Sequence, residues 1–321
     1  MSGLAKDLDD GPPVLSEGVD LQIAESLRTE LAAIVLLSGA VRATQLNAAV
    51  GRSIIDLPVD VSTTILDLWH RQARKVGQGL RMPQVPVRVM INRDSHRPTI
   101  HGSENGVDMQ IEEDVGEFRG TAGVLRDLSA DYSDGDLLLV ANGAQIMLEP
   151  LLDLALELAS TQADVAVMAN EDRTPSGVML MRCRAIRGVS EIGYVDMKEQ
   201  ALPRIARDHE VAVVKHTEPS GLPVRTLSDY INAVRLYVGH QQGDTHEADP
   251  YSDPYKESWR PTFGIIEEGA EVENDVRLHD SVVLRGGRVQ RGAILIQSIV
   301  CPGGTVRRND MVTDRLVEGS H

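Results

Sequence analysis

Aromatic side chains are scarce in this chain: two Trp, six Tyr and two Phe in 321 residues, or 3%. The core must therefore be aliphatic. Cysteine is scarcer still, with only Cys183 and Cys301, which excludes a disulfide-stapled scaffold and makes a reducing cytoplasm the expected setting. No basic stretch followed by a long apolar run stands before the first Asp-rich segment, so no secretory leader is expected. The longest aliphatic run, Leu31 to Leu37, falls far short of the ~20 residues that span a bilayer. Basic charge is also deficient: 32 Lys+Arg stand against 48 Asp+Glu, a net charge of −16. Such a surface repels phosphate backbones and anionic lipid heads, so neither nucleic acid nor a membrane is an expected partner.

Apolar content of 42% and charged content of 25% suit a folded globular chain. Residues 1–19 are rich in Gly, Pro and Asp and lack periodicity, which predicts an arm; residues 20–30 follow helical spacing through Leu21, Ala24, Leu27 and Leu31. The run LAAIVLL (31–37) does not alternate and predicts a strand covered on both faces. Similar runs recur at 85–91, 137–141, 164–168, 177–181 and 211–214, interleaved with amphipathic helical stretches at 63–76, 148–160, 196–207 and 228–238. Strands alternating with helices predict one α/β domain over 31–238 with a mostly parallel, Rossmann-like sheet. Residues 239–262 turn polar and Pro-rich and predict a linker, with His240 and His246 as solvated histidines lacking acidic or thiol partners at metal-ligand spacing.

The last part of the chain repeats. Residues 265–281, 282–298 and 299–315 align in three rows of period 17, with columns Ile266/Val283/Val300, Gly269/Gly286/Gly303, Val272/Val289/Val306 and Leu278/Leu295/Val312. Apolar columns six apart give three short strands per coil, the hexapeptide pattern of a left-handed parallel β-helix, with glycine at a corner. An antiparallel sandwich would not require that constant register. A β-helix over 263–315 and a tail over 316–321 are expected. His279 lies in the first coil, but three coils without an insertion do not resemble the longer helices of acyltransferases; Cys301 sits in a corner column with no sign of a nucleophile.

Several motifs occur in a fixed order. They are Arg119-Gly120-Thr121-Ala122-Gly123, Asp134-Gly135-Asp136 running into Val140-Ala141-Asn142-Gly143, Asp196-Met197-Lys198-Glu199 with Leu202-Pro203-Arg204, and Thr226-Leu227-Ser228-Asp229-Tyr230. Together with the β-helix tail, this set resembles the sugar-nucleotide pyrophosphorylases, which join a sugar 1-phosphate to a nucleoside triphosphate and release pyrophosphate. The resemblance spans about 31–315 and implies a GT-A-type nucleotidyltransferase domain. It implies nucleotide contacts at Gly39, Gly120, Thr121, Ala122, Gly123, Asn142 and Gly143, and a sugar-phosphate contact at Lys198.

The same resemblance exposes a deficit. Counted back from Leu57-Pro58-Val59, the family's phosphate-loop arginine falls on Thr44 and its second cation on Ile54, with Arg42 and Arg52 two residues out of place. The two metal-binding aspartates fall on Ala144 and Pro223. Phosphoryl transfer is positioning plus charge stabilisation, and losing one such stabiliser costs ~10²–10³ in rate. Four missing together imply a disabled family member with no cofactor, binding a nucleotide, an NDP-sugar or an active paralogue in a regulatory or scaffolding role. An active nucleotidyltransferase using Mg²⁺ with Arg42, Arg52 and Asp136, with Asp56, Asp60, Asp134 and Arg119 nearby, is the alternative. A purely structural oligomerisation module is the third. Self-association through the β-helix or the α/β domain is expected under each.

Overall fold

The computed structural model describes residues 19–38, 44–93, 95–100, 102–114, 119–171, 174–190, 193–217, 219–241 and 262–319. The expected N-terminal arm to residue 18 and most of the expected linker, His246 included, lie outside the described residues.

The first part of the fold alternates in kind: α1 (Val19–Glu30), β1 (Leu31–Leu37), α2 (Gln45–Val50), α3 (Ile65–Gly79), β2 (Val85–Asn92), β3 (Ser103–Glu104) and β4 (Val107–Asp114). It continues through α4 (Gly120–Ser129), β5 (Leu137–Asn142), β6 (Gln145–Met147), α5 (Leu151–Ser160), β7 (Val165–Asn170), β8 (Pro175–Arg182) and α6 (Cys183–Arg187). A π-helical turn (Met197–Ala201) leads into α7 (Leu202–Ile205), followed by β9 (Val211–His216), β10 (Gly221–Pro223) and α8 (Leu227–Gln241).

Eight strands form one sheet in the order β3-β4-β2-β1-β5-β8-β7-β9. β8 runs antiparallel to both its neighbours and β3 antiparallel to β4; the other pairs are parallel. The unbroken apolar run of β1 has a direct cause. Ile34 and Leu36 enter one core, Ala33 and Val35 the other, and all four are at most 1% exposed, so alternation would leave a polar residue buried. Between the strands, α3 begins at a capping box in which Thr64 and Asp67 satisfy each other's backbone amides. Its Trp69 is buried in the first core.

Two expected boundaries shift. α1 buries Ala24 and Leu27 in the core under β1, so it belongs to the α/β domain and not to the arm. α8 runs on to Gln241, into the expected linker, because Gly239 alone costs only ~1 kcal/mol of helix and no proline follows at once.

The C-terminal strands form three parallel ladders. Gly264–Ile266, Ser281–Val283, Ile299–Val300 and Leu316–Val317 make the first; Glu271–Val272, Arg288–Val289 and Thr305–Val306 the second; Arg277–His279, Ile294–Ile296 and Met311–Thr313 the third. Every rung joins residues 17 apart, such as Val272 to Val289 to Val306, as a parallel β-helix requires. A fourth strand at Leu316–Val317 extends the stack past the expected end at 315. The column Gly269, Gly286, Gly303 has φ of 87°, 79° and 78°, a left-handed corner that favours glycine.

The first ladder is apolar on both faces. Val283 and Val300 fill the β-helix interior, whereas Ile265, Val282 and Ile299 join the core of the α/β domain with Leu284 and Cys301. Polar contacts fix the same seam. Arg235 of α8 holds Asp280 at 2.6 Å, and Asp280 also accepts the Phe263 amide at 3.2 Å.

Candidate functional site

The parallel strands β1, β2 and β5 end together, and α4 starts at that same edge. There Gly143 N–H donates to the Leu37 carbonyl at 2.9 Å and Ser38 N–H to the Met90 carbonyl at 2.9 Å. A Cβ on Gly143 would come within 3.3 Å of Ser38 Cβ and 3.4 Å of the Leu37 oxygen, so the glycine permits the two strand ends to close. Trp69 Nε1 donates to the Gly143 carbonyl at 2.8 Å, and Asn142 Oδ1 accepts the Ala144 amide at 3.2 Å. Ser38 Oγ is buried there without a partner among the described residues.

The segment Gly120–Gly123 lies at the start of α4 and is tied to the connection between α6 and the π-helical turn that carries Lys198. Val195 N–H donates to the Arg119 carbonyl at 2.9 Å, and Ala122 N–H to the Val195 carbonyl at 3.2 Å. Gly120 has φ +71°, and a Cβ there would meet the Val195 oxygen at 2.5 Å, so its side chain is excluded by backbone. Thr121 is half-buried and Ala122 buried. Gly123 faces Arg119, whose stem lies 3.1 Å from where a Cβ would stand and whose guanidinium pairs with Asp127. Lys198 is exposed on the π-helical turn, whose Asp196 cap accepts the Glu199 amide at 2.8 Å. Of the expected nucleotide contacts, these glycines, Asn142 and Gly143 share one edge of the sheet. Gly39 lies outside the described residues, as does Arg42.

The four positions that the resemblance marks as replaced each have a structural role. Thr44 caps α2, its hydroxyl accepting the Asn47 amide at 3.3 Å. Ile54 is 8% exposed in the core. Ala144 and Pro223 are brought close by the β6–β10 ladder, where Pro223 pairs with Gln145 and Val224 N–H donates to the Ala144 carbonyl at 2.8 Å. That pairing places Val224 directly across from Ala144. Both belong to the apolar core side, while Pro223 is exposed. Neither Pro223 nor its neighbour Val224 brings a carboxylate to Ala144, and no three metal-ligating side chains cluster anywhere among the described residues.

The groups proposed to act in their place do not converge. Asp134 and Asp136 stand before the N-terminal end of β5, the opposite end from Asn142, and a six-residue strand separates the two by about 20 Å. There Asp136 caps a turn through the Ser133 amide at 2.7 Å and Asp134 pairs with Arg187. The expectation that they lie at the site's strand ends is therefore corrected: strand polarity carries them away. Arg52 is bound to Glu267 of the first β-helix coil. Asp60 accepts the Ser62 amide in a turn. Asp56 accepts the Thr99 amide, and burial pushes its carboxyl above the usual range.

Sequence reasoning missed a cavity of 540 Å³ beside this edge, where the α/β domain meets the β-helix. Thr44 and Gln45 line one wall, Arg225 to Ser228 a second, and Gln297, Asp314 and Leu316 the third. Thr226 and Asp229 cap α8 there, each accepting the other's amide at 3.1 and 3.0 Å. The Gln297 amide lies between Asp314 and Arg235, and with its nitrogen turned to Asp314 it would donate there at 2.8 Å and accept from Arg235 at 2.9 Å. Arg225, exposed and two residues past Pro223, makes no ion pair or hydrogen bond with a described residue. Its adjacency to the Pro223 landmark was legible; its placement against the β-helix was not.

No family model matches the chain, and no curated protein matches it. Among solved structures it is similar to a Mycobacterium tuberculosis rv0371c homologue from Mycobacterium sp. strain JC1, at 16% identity and a TM-score of 0.43, over 64% of this chain and 96% of that one. It is also similar to HddC from Yersinia pseudotuberculosis, at 15% identity and a TM-score of 0.43, over 64% of this chain and 99% of that one.

Proposed function

We propose that this protein is a catalytically disabled relative of the sugar-nucleotide pyrophosphorylases, with a GT-A-type domain and a left-handed β-helix, that binds a nucleotide or sugar nucleotide in a regulatory or scaffolding role. The observation that carries this reading is the β6–β10 ladder. At the place where the resemblance puts two metal-binding carboxylates stand Ala144, Pro223 and, opposite Ala144, Val224. Magnesium held between phosphates needs oxygen ligands, and these side chains have none to give. Thr44 caps a helix where a phosphate-loop arginine would stand, and Arg52 is bound to Glu267. Closely approaching glycines persist along the edge where a nucleoside would lie. Arg225 supplies a cation beside the vacated carboxylate positions, so a phosphate-bearing ligand would be held by direct charge pairing and not through a metal.

Calorimetry with nucleoside triphosphates and NDP-sugars, with and without Mg²⁺, tests the binding, and a pyrophosphate-release assay tests the chemistry. Saturable heat that is indifferent to Mg²⁺, weakened about tenfold or more by Arg225→Ala, is expected, with no turnover. Turnover near ~1 s⁻¹, an ordinary enzymatic rate, would overturn the reading. A titration without heat or thermal shift would favour a purely structural module.

A further inference from the structure

The two edges of the main sheet differ in a way that points to a partner. At one edge stands β3, only Ser103–Glu104, both exposed and one acidic. A two-residue charged edge is a poor template for another strand. The other edge is β9, the six-residue run VAVVKH, paired on one side with β7 and on the other with no described strand. It carries no proline, no glycine and no bulge, and its central Val213 is 62% exposed. Such an edge is a ready acceptor for a further strand.

The ladder polarity says which backbone groups are free. Val165 N–H donates to the Glu210 carbonyl at 3.1 Å, in a parallel register that pairs Val165 with Val211. In a parallel ladder the residues that bond to one neighbour alternate with those that bond to the other. Ala212, Val214 and His216 therefore turn their amides and carbonyls toward β7, and Val211, Val213 and Lys215 turn theirs outward.

We propose that β9 is a dimerisation edge that pairs antiparallel with β9 of a second copy of this chain, about a twofold axis through Val213. A twofold axis perpendicular to a sheet requires paired residues to lie on the same face, so residue numbers across the axis must sum to an even value. Centring on Val213 satisfies this and matches all the outward groups: Val213 with its mate, and Val211 with Lys215 in both directions. About six inter-chain hydrogen bonds result. On the faces, the exposed Val213 stacks on Val213, Ala212 faces Val214, and Glu210 faces His216, so like charges do not meet across the axis. A second copy fits this edge because the segment is complementary to itself in register, hydrogen-bond polarity and charge. The contact is smaller than the ~1,600 Å² of a standard interface, so the dimer forms and separates with concentration.

Sedimentation equilibrium on the full chain over a wide concentration range is expected to show a monomer–dimer equilibrium. Val213→Lys should weaken it tenfold or more. Val213→Pro should do the same without breaking an internal bond, since that amide points outward. Val61→Lys, at a residue 71% exposed elsewhere, should leave it unchanged. Cys183 and Cys301 are both buried, so Val213→Cys should give a disulfide-linked dimer under mild oxidation while the parent chain does not. Circular dichroism checks that each variant is folded. A chain monomeric at every concentration overturns the proposal, as does a dimer insensitive to both Val213 substitutions but abolished by Ile266→Lys at the first coil of the β-helix.

Discussion

Arg52 grips Glu267 with both arms of its guanidinium, Nη1 to Oε1 at 2.7 Å and Nη2 to Oε2 at 2.8 Å, across the seam between the α/β domain and the β-helix. The Arg285 amide donates to the same carboxylate at 2.7 Å. A cation that the sequence resemblance sets near a phosphate site thus serves docking. Both side chains are less than a quarter exposed, at 23% and 14%, so removal of either leaves a largely desolvated charge. Arg52→Ala and Glu267→Ala are each expected to cost about 1–3 kcal/mol in urea unfolding, and the double variant clearly less than their sum. Strictly additive losses would show that the pair does not hold the seam.

A second fastening lies beneath it. Tyr230 of α8 is wholly buried, and its hydroxyl donates to the Pro58 carbonyl at 2.5 Å. Tyr230→Phe keeps the ring and strands that carbonyl, so a loss of about 1–3 kcal/mol is expected. Thermal unfolding measures it. An unchanged midpoint would mean that water replaces the hydroxyl and the site is not sealed.

What was readable in the sequence follows from periodicity. β1 is bounded at Leu31 and Leu37 as its unbroken aliphatic run implies, and the 17-residue columns became rungs because a repeating coil leaves no other register. α4 is not legible as a helix because two glycines open it; its helical character comes from burying Leu125 and Leu128 under the sheet, a tertiary effect. β4 is only faintly legible: Val107, Met109 and Ile111 alternate, but its acidic outer face masks the pattern. At the site, Thr44, Ile54, Ala144 and Pro223 were readable in the sequence as departures from the motifs it resembles. Val224 opposite Ala144 was not, because only the ladder sets which neighbour faces it. Nor was the fate of Asp136, which depends on the direction in which β5 runs. The docking of the β-helix left a faint signal: apolar pairs occur in all four strands of the first ladder, Ile265-Ile266, Val282-Val283, Ile299-Val300 and Leu316-Val317, where one inward residue would suffice.

The buried thiols give the protein an alkaline weakness. Burial pushes both Cys183 and Cys301 up from an ordinary 9.0 to about 11. The folded chain therefore keeps protons that the unfolded chain releases, so stability is intact below about pH 9 and declines as pH rises toward 11. Each thiol accounts for roughly 2–3 kcal/mol at the upper end, at about 1.4 kcal/mol per pKa unit. Tyr230, whose hydroxyl burial pushes far up, adds a loss of the same sign, beginning near its unfolded value of 10.0. Urea midpoints at several pH values between 8 and 11 should show the decline. Cys183→Ala and Cys301→Ala should each flatten it even though they lower stability at pH 7. A slope unchanged in the double variant would place its origin elsewhere.

Gly120 and Gly123 separate folding from ligand contact. Both fall in the segment that resembles a nucleoside-binding motif, yet their surroundings differ. Gly120 sits at φ +71° with the Val195 carbonyl 2.5 Å from any added Cβ, and the obstacle is backbone on both sides. Gly120→Ala must therefore spread the Arg119–Val195 contact, and a loss of about 2–4 kcal/mol is expected from strain and displaced hydrogen bonds. Gly123 is helical, and the nearest atoms are Arg119 Cβ at 3.1 Å and Cδ at 3.4 Å; the Cδ can swing aside, whereas the Cβ yields only by a shift of a few tenths of an ångström in the Arg119 backbone. Gly123→Ala should cost about 1 kcal/mol, less than Gly120→Ala, because the contact is looser, φ is helical and alanine's better helix propensity offsets part of the crowding. If a nucleotide packs against this edge, that variant should lose most of its nucleotide affinity while its unfolding midpoint stays close to the parent's. Retained affinity would move the ligand away from α4 and toward the cavity at Arg225.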